Sequence, residues 1–374
     1  MSSREEIVHC LALEQIPGVG LANARTLFDV YGSAKELFER REEVLRMSQP
    51  TGRRLIASLE CPEAFERAKR ELEFAEKNGI EVITIGDGRY PSRLRECGDA
   101  PLALFFKGKA DLNALRVINL VGTRNATDYG RQLCVRFMED IRQLVPNVLV
   151  ISGLAYGIDI AAHRAALENG LATIGVLAHG LDRIYPAVHR KTAIEMLNNG
   201  GLLTEYMSGT TPDRQNFVKR NRIVAGMCDA TIVVESASKG GALITAGLAV
   251  GYNRDCFAFP GRVGDLMSQG CNMLIRENKA ALIQTAEDFV EAMGWNSADM
   301  PTPQAVQRQL FVDLSAEEEH LMEVMKKYLA EGIQVNQLVV ESGIPVNRVC
   351  ALLFELEMKG LVRALAGGVY KVVC

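Results

Sequence analysis

The chain has 374 residues, of which 48% are hydrophobic and 24% are charged, and its formal net charge is −4 at pH 7. This length and composition predict a soluble globular protein with one large core and room for two or three domains. The net acidity excludes a protein that coats nucleic acid with its whole surface, but it leaves room for one local basic groove.

The first residues and the cysteines indicate the cellular compartment. MSSREEIVHCLALEQ carries charges where a signal peptide has an apolar core, and no uncharged run approaches the roughly 18 to 20 residues of a membrane span. Nine cysteines are scattered from Cys10 to Cys374 without a CxxC pair or metal-ligand spacing, which is typical of reduced, buried thiols. We therefore expect a cytoplasmic protein with no membrane segment, no disulfide and no structural zinc.

Residues 1–80 are helical in pattern and form the first predicted domain. Helices are expected over IVHCLALEQI, LANARTLFDVYG and AKELFER, followed by a charged helix from about Pro62 to Asn78 that Gly79 ends. The turn IPGVG, residues 16–20, contains the glycines that a helix-hairpin-helix needs to turn tightly and to face a phosphate with its N–H groups. An ordinary turn in a small helical packing module is the alternative.

Residues 81–295 alternate short apolar runs with amphipathic stretches, which predicts repeated βα units. The expected fold class is α/β, with a Rossmann-like, doubly wound and mostly parallel sheet. Six runs are expected to be its strands: VINLVG (117–122), VLVISG (148–153), ATIGVLAHG (172–180), GLLTEY (201–206), ATIVVES (230–236) and CFAFPG (256–261).

A polar, proline-containing linker over residues 296–309 precedes a third predicted domain, residues 310–374. Two or three helices, a Ser342-Gly343 turn and two strands around Gly367-Gly368 match the outline of a winged helix. The predicted recognition helix carries only Arg348 and Lys359 against Glu355 and Glu357, so a protein-interaction role is favoured over duplex binding.

Glycine-containing turns follow most of the predicted parallel strands, at the edge of the sheet where ligands of such folds bind. Their N–H groups are able to approach an anion closely, and the helix starts behind them add positive dipole ends. The first turn, VGTRNATDYG, lacks GxGxxG and no GxxxxGK[ST] occurs, so no dinucleotide cofactor and no P-loop nucleotide is expected. The turn residues predicted to surround the phosphate are Gly122, Thr123, Gly153, Gly157 and Gly240.

Basic residues on the same side of the predicted sheet favour a chain of phosphates over a single one. Lys219 and Arg222 share one helix face at a spacing of three, and both are expected to be exposed. The alternative is a solvated helix face. Phe217, at the start of that helix, is either a base-stacking platform or a core residue. The expected cations are Arg124, Lys219, Arg220 and Arg222, with Arg190 or Lys191, just after Tyr185-Pro186, as a further candidate.

Catalytic arrangements are less well supported. His163 follows Asp159 at a spacing of four, which a capping aspartate and a satisfied histidine explain without chemistry. The sequence has no GxSxG motif, and Glu205 and Glu235 at strand ends are the carboxylates to test. We expect a protein that is not an enzyme.

These motifs together resemble the DNA processing protein A (DprA, or Smf) family. The resemblance runs in order through YPSRL (90–94), PLALFFKG, VGTR, SGLAYGIDIAAH, GVLAHGLDRIYP, LLTEY, FVKRNRIVAG, GGALITAGLAVGYNRDCFAFPG and GCNMLIRENKAALI. The flanking regions are similar to the family's variable extensions, which are a small all-α N-terminal domain of sterile-alpha-motif or helix-hairpin-helix type and a C-terminal winged helix. The resemblance therefore covers nearly the whole chain.

The resemblance implies a protein that binds single-stranded DNA, protects incoming DNA during natural transformation and helps to load the recombinase RecA, without turnover. It also implies a homodimer that forms through the Rossmann-like domain. Carried over by motif, the DNA contacts fall on Arg124 of GTR, on Lys219, Arg220, Asn221 and Arg222 of KRNR, and on Arg190 after the YP turn.

This sequence departs from the family pattern at three positions. Tyr156 stands where arginine is common, Val218 where proline is usual, and His189 where asparagine is usual. A tyrosine is able to replace the lost cation by stacking on a base. Two alternative functions stay open: a Rossmann-like nucleotide hydrolase similar to cytokinin-activating and lysine-decarboxylase-like proteins, and a protein-binding adaptor that uses the winged helix.

Overall fold

A computed structural model describes residues 2–40, 59–295, 314–328, 332–359, 361–365 and 369–372. The predicted linker, residues 296–309, and the turn at residues 367–368 lie outside the described residues. The chain divides into two compact units, Met1–Asp299 and Met300–Cys374. Each unit is described by itself.

Over residues 2–40 and 59–295, the first unit contains helices and nine strands. The helices are α1 (Arg4–Gln15), α2 (Gly20–Tyr31), α3 (Ala34–Glu39), α4 (Pro62–Lys77), α5 (Ser92–Arg95), α6 (Asp128–Leu144), α7 (Ile158–Glu168), α8 (Arg190–Met196), α9 (Arg214–Gly226), α10 (Gly241–Gly251), α11 (Gln269–Arg276) and α12 (Ala286–Ala292). The strands are β1 (Glu81–Thr84), β2 (Ala103–Gly108), β3 (Val117–Val121), β4 (Leu149–Ser152), β5 (Thr173–Val176), β6 (Gly200–Thr204), β7 (Ala230–Val233), β8 (Asp255–Ala258) and β9 (Ala281–Leu282).

The nine strands form one sheet in the order β1-β2-β6-β5-β4-β3-β7-β8-β9. The six predicted strands are β3 to β8, and they pair in parallel, which confirms the Rossmann-like fold. All five residues of β3 are buried, because helices cover both faces of a parallel sheet. The chain leaves β3 first toward β4 and later returns to its other side as β7. This reversal opens a crevice at the carboxyl ends of the strands.

The sheet also contains strands that the apolar runs did not predict. β1 and β2 add an antiparallel edge, since β2 pairs antiparallel with both β1 and β6. Residues 103–108 belong to the PLALFFKG motif, where no strand was predicted. At the other edge, β9 has just two residues, and both of them are exposed.

The N-terminal helices share one hydrophobic core with the sheet, in which Leu11 and Leu13 lie in the same buried cluster as Phe106. A further link is made by Glu14 of α1, whose carboxyl oxygen accepts a hydrogen bond of 2.6 Å from the Leu102 N–H. Gly18 and Gly20, in the turn between α1 and α2, have φ of 85° and 61°. These left-handed conformations explain the two glycines. That residues 1–80 fold as a separate domain stays a prediction.

The second unit has the architecture of a winged helix. Its helices are α13 (Ala316–Lys326), α14 (Val335–Ser342) and α15 (Val346–Met358), and its strands β10 (Ile333–Gln334), β11 (Val362–Leu365) and β12 (Val369–Val372) form a sheet in the order β10-β12-β11. Arg348 donates to Glu317 at 2.8 and 2.5 Å, and Lys359 donates to Glu318 at 2.6 Å. Ion pairs within the unit therefore engage both cations of the predicted recognition helix.

The described helices and titratable side chains bear on the expected membrane segment and metal site. No single helix there is long and apolar enough to cross a membrane, although the pair Val335–Ser342 and Val346–Glu357, bent by 109°, passes the test by length and composition. Within the same residues, no group of three or more His, Cys, Asp and Glu side chains is arranged to hold a metal ion.

Candidate nucleic-acid interface

A crevice of about 650 Å³ lies at the carboxyl ends of β3, β4 and β7, and the first three turns of α9 form one of its walls. It contains most of the predicted turn residues and part of the predicted basic cluster. The predicted residues that line it are Gly122, Thr123, Arg124, Gly153, Phe217, Arg220, Asn221 and Gly240.

The glycine turns are packed against one another and give the crevice its floor. The Thr123 N–H donates to the Glu235 carbonyl at 2.8 Å, which joins the turns after β3 and β7. Gly157 has φ of 78°, and a side chain there would place its Cβ 2.6 Å from the Arg124 carbonyl carbon. Gly157 itself does not line the crevice, but only glycine allows this approach of the two turns.

Arg124 and Phe217 face each other across the crevice. The Arg124 guanidinium carbon lies 5.0 Å from the centre of the Phe217 ring, and the Tyr185 ring lies 5.9 Å from Phe217 on a tilted plane. Arg124 and Tyr185 are exposed, and Phe217 is half-buried. An arginine over an aromatic face is a favourable cation–π arrangement. The crevice thus presents a cation and an aromatic surface side by side.

Arg220 is buried beneath the crevice, with 3% of its surface exposed. Its guanidinium donates to the Gly153 carbonyl at 2.6 Å and to the Val176 carbonyl, and its charge lies near the buried Asp159. Burial raises the pKa of Asp159, and the nearby Arg220 opposes this rise. Arg220 therefore holds the ends of β4 and β5 in place, instead of presenting a fully exposed cation.

The expectation that Arg222 is exposed beside Lys219 is wrong. Arg222 is buried at 6% exposure and forms an ion pair with Glu205, so it points away from the crevice. Lys219 is exposed on the same helix but does not line the crevice. Arg190 is exposed at the start of α8, also outside the crevice. Helix α9 thus places Lys219 in solvent and Arg222 in the protein interior.

Among the other residues that line the crevice are two cations and an aromatic residue that were not predicted as DNA contacts: Arg214, Lys239 and Tyr185. Lys239 lies in the same turn as Gly240, and Arg214 begins α9, so their positions at strand and helix ends were the available signal. Within residues 2–40 and 59–295, no carboxylate comes within ion-pair distance of Arg124, Arg214, Lys219 or Lys239. All four side chains belong to exposed residues.

The residues considered for catalysis have structural contacts instead. The His163 ring is buried, its Nδ1 lies 2.7 Å from the Thr173 hydroxyl, and burial lowers its pKa to about 3. Glu235 is buried and accepts hydrogen bonds from the Thr127 N–H at 2.9 Å and from the Thr127 hydroxyl at 2.5 Å. Glu205 pairs with Arg222. None of the three lines the crevice.

The carboxyl group of Glu14 couples the attachment of α1 to pH. Burial, and to a smaller degree the Glu205 carboxylate, raises the pKa of Glu14 from its ordinary 4.5 to about 8. Between pH 4.5 and about pH 8, the Glu14 carboxyl group is therefore still protonated in the folded protein but already deprotonated in the unfolded chain. The stability associated with this proton is fully present below pH 4.5 and is lost as the pH rises to about 8.

In the wild type, the free energy of unfolding should fall as the pH rises from about 6 to about 8. We expect Glu14→Gln to reduce the slope of this fall by up to roughly 1.4 kcal/mol per pH unit. Glutamine stays neutral and keeps the oxygen that accepts from the Leu102 N–H. Urea unfolding at several pH values measures the slope. Equal slopes for the wild type and the variant would contradict the raised pKa.

Comparisons with known proteins agree with this geometry. Residues 81–294 match the family model described as DNA recombination-mediator protein A, and residues 302–368 match the DprA winged helix domain. A putative DNA processing protein DprA of Mycobacterium tuberculosis is 36% identical over 319 residues, which cover 81% of this chain and 79% of the relative.

Two solved structures have a similar fold. The X-ray structure of DNA processing protein A from Streptococcus pneumoniae is 30% identical, with a TM-score of 0.60, over 78% of this chain and 98% of that chain. A Helicobacter pylori DNA processing protein A, whose structure describes its binding mode for single-stranded DNA, is 27% identical with a TM-score of 0.52, over 58% of this chain and 96% of that chain. This chain therefore belongs to the DNA recombination-mediator protein A family and has that family's role in DNA processing.

Proposed function

We propose that the crevice binds the phosphates of single-stranded DNA, so that the protein protects the strand and delivers it to the recombinase RecA during natural transformation. The observation that carries the proposal is the set of four exposed cations, Arg124, Arg214, Lys219 and Lys239, that lack a carboxylate partner in the first unit's described residues. They lie in or beside a crevice floored by glycine turns, in a chain of net charge −4. Unneutralised cations concentrated in an acidic protein are typical of a polyanion site.

The aromatic side chains of the crevice favour a single strand over a duplex. Bases are accessible to stacking only when they are unpaired, and every base offers a ring face whatever its sequence. Phe217 and Tyr185 supply such surfaces next to Arg124. The binding mode described for the Helicobacter pylori relative supports the same class of ligand. We therefore include Phe217 and Asn221 with the cations as DNA contacts.

The partners and the assembly of the protein form the second part of the proposal. We infer a cytoplasmic homodimer that associates through the Rossmann-like unit and hands its DNA to RecA, since the family resemblance implies both interactions. Arg190 stays a proposed DNA contact outside the crevice.

Titration of fluorescent oligo-dT, with a duplex of equal length as the control, tests the proposed ligand. We expect a plot of log affinity against log salt concentration to have a slope of about −0.7 for each phosphate contacted. Four cations that each contact one phosphate therefore give a slope of about −3. Weaker binding of the duplex is also expected. An affinity that salt does not change, or equal binding of duplex and single strand, would contradict the proposal.

The two alternative functions gain no support from the geometry. The hydrolase alternative assigns a carboxylate such as Glu235 to the bound nucleotide, but Glu235 is turned inward onto Thr127. The adaptor alternative assigns the function to the winged helix and leaves the cations of the first unit without a partner. The crevice is thus better explained by DNA.

A further inference from the structure

Tyr156 lies just outside the crevice, on the turn that joins β4 to α7. Its neighbour Ala155 lines the crevice, whereas Tyr156 does not and is 47% exposed. The same turn packs tightly against the backbone of Arg124, since a Cβ at Gly157 would lie 2.6 Å from the Arg124 carbonyl carbon. The tyrosine therefore stands next to the mouth of the crevice, beside the turn that carries its principal cation.

The Tyr156 ring is held in place by a histidine. The rings of Tyr156 and His189 are 5.1 Å apart at an angle of 67°, in an edge-to-face arrangement. His189 is buried at 3% exposure, and its Nδ1–H donates to the Leu154 carbonyl at 2.9 Å. One imidazole thus contacts both Leu154 and Tyr156 of the same turn. An aromatic ring that is fixed on one side and open to solvent is suited to stacking on a base.

Cations follow this aromatic pair directly in the chain. Arg190 and Lys191 come after His189, and both are exposed. The Lys191 ammonium lies 3.9 Å from the Glu195 carboxylate and has 91% of its side chain exposed, whereas Arg190 has no ion-pair partner in residues 59–295. Arg190 directly follows the histidine that contacts the exposed Tyr156 ring. A cation and an aromatic ring supply the two contacts that one nucleotide needs, at its phosphate and at its base.

We propose that Tyr156 and Arg190 form a second nucleotide subsite outside the crevice. This subsite binds the single strand where the strand leaves the crevice. The proposal rests on the proposed function, because it extends the track of the same DNA. His189 is its positioning residue. The subsite lengthens the bound segment and supplies, by stacking, an affinity that does not depend on salt.

Short and long oligomers separate this subsite from the crevice. Fluorescent oligo-dT of about four and of about twelve nucleotides is titrated against the full-length wild type and Tyr156→Ala. We expect Tyr156→Ala to weaken binding of the long oligomer about tenfold with its salt slope unchanged, and to leave binding of the short one within about twofold. Arg190→Ala should weaken binding of the long oligomer and reduce its salt slope by about 0.7.

Tyr156→Phe is the matched control, since it keeps the ring and should bind both oligomers as the wild type does. Thermal midpoints identify any variant that fails to fold, and Arg190→Ala carries the test if Tyr156→Ala is one of them. Equal weakening of both oligomers would place Tyr156 in the crevice and overturn the second subsite. Unchanged binding of both would also overturn it and leave the proposed function intact, whereas a wild type that binds neither oligomer would overturn both.

Discussion

Replacing Arg222 by alanine is expected to lower the free energy of unfolding by about 3 to 5 kcal/mol. The side chains of Arg222 and Glu205 are each only 7% exposed, and they form an ion pair. Removing the guanidinium leaves the Glu205 carboxylate buried without its counter-charge, close to the carboxyl group of Glu14. The cost of an uncompensated buried charge exceeds the small contribution of a surface ion pair.

Urea unfolding measures this loss, and two variants serve as controls. Lys219→Ala changes an exposed cation of the same helix and is expected to alter stability by less than about 0.5 kcal/mol. The double variant Arg222→Met with Glu205→Leu removes both charges and should recover most of the loss, because no buried charge remains. Equal stability of Arg222→Ala and Lys219→Ala would show that Arg222 is not held in a buried pair.

The basic stretch KRNR shows what the sequence determines and what it leaves open. Its position at a strand end, and so its place beside the crevice, could be predicted from the order of the βα units. Arg220 precedes Ile223 and Val224 by three and four residues, so helical spacing places it on the buried face. The sequence could not show that Arg222 is buried, because its partner Glu205 comes from another strand end.

The strands of the sheet also divide into those that a local sequence pattern predicts and those that depend on distant segments. Six strands could be predicted because a buried parallel strand is a continuous apolar run between glycine turns. The antiparallel edge could not, since pairing such as that of Phe105 with Thr204 joins distant segments and leaves no local pattern. β9 was missed because its two residues are exposed. In the crevice, Tyr185, Arg214 and Lys239 come from three separate segments of the chain, and the structure was needed to bring them together.

The larger functional effect is expected at Arg124, where alanine should weaken the binding of oligo-dT about ten- to hundredfold. Loss of a charge-assisted contact to one phosphate corresponds to about 1.5 to 3 kcal/mol. Arg124 is exposed, and its cation–π contact with Phe217 at 5.0 Å contributes only about 0.5 to 1 kcal/mol to folding. The thermal midpoint should therefore change little while the affinity falls.

The salt dependence decides how Arg124 acts. If its guanidinium contacts a phosphate, Arg124→Ala should reduce the slope of log affinity against log salt by about 0.7. Arg136→Ala removes the same charge from an exposed position of α6 that does not line the crevice, and it should leave both affinity and slope nearly unchanged. A fall in affinity at an unchanged slope would mean that Arg124 acts by orienting Phe217 for stacking. Parallel losses in both variants would mean that the net charge of the protein, and not the crevice, attracts the DNA.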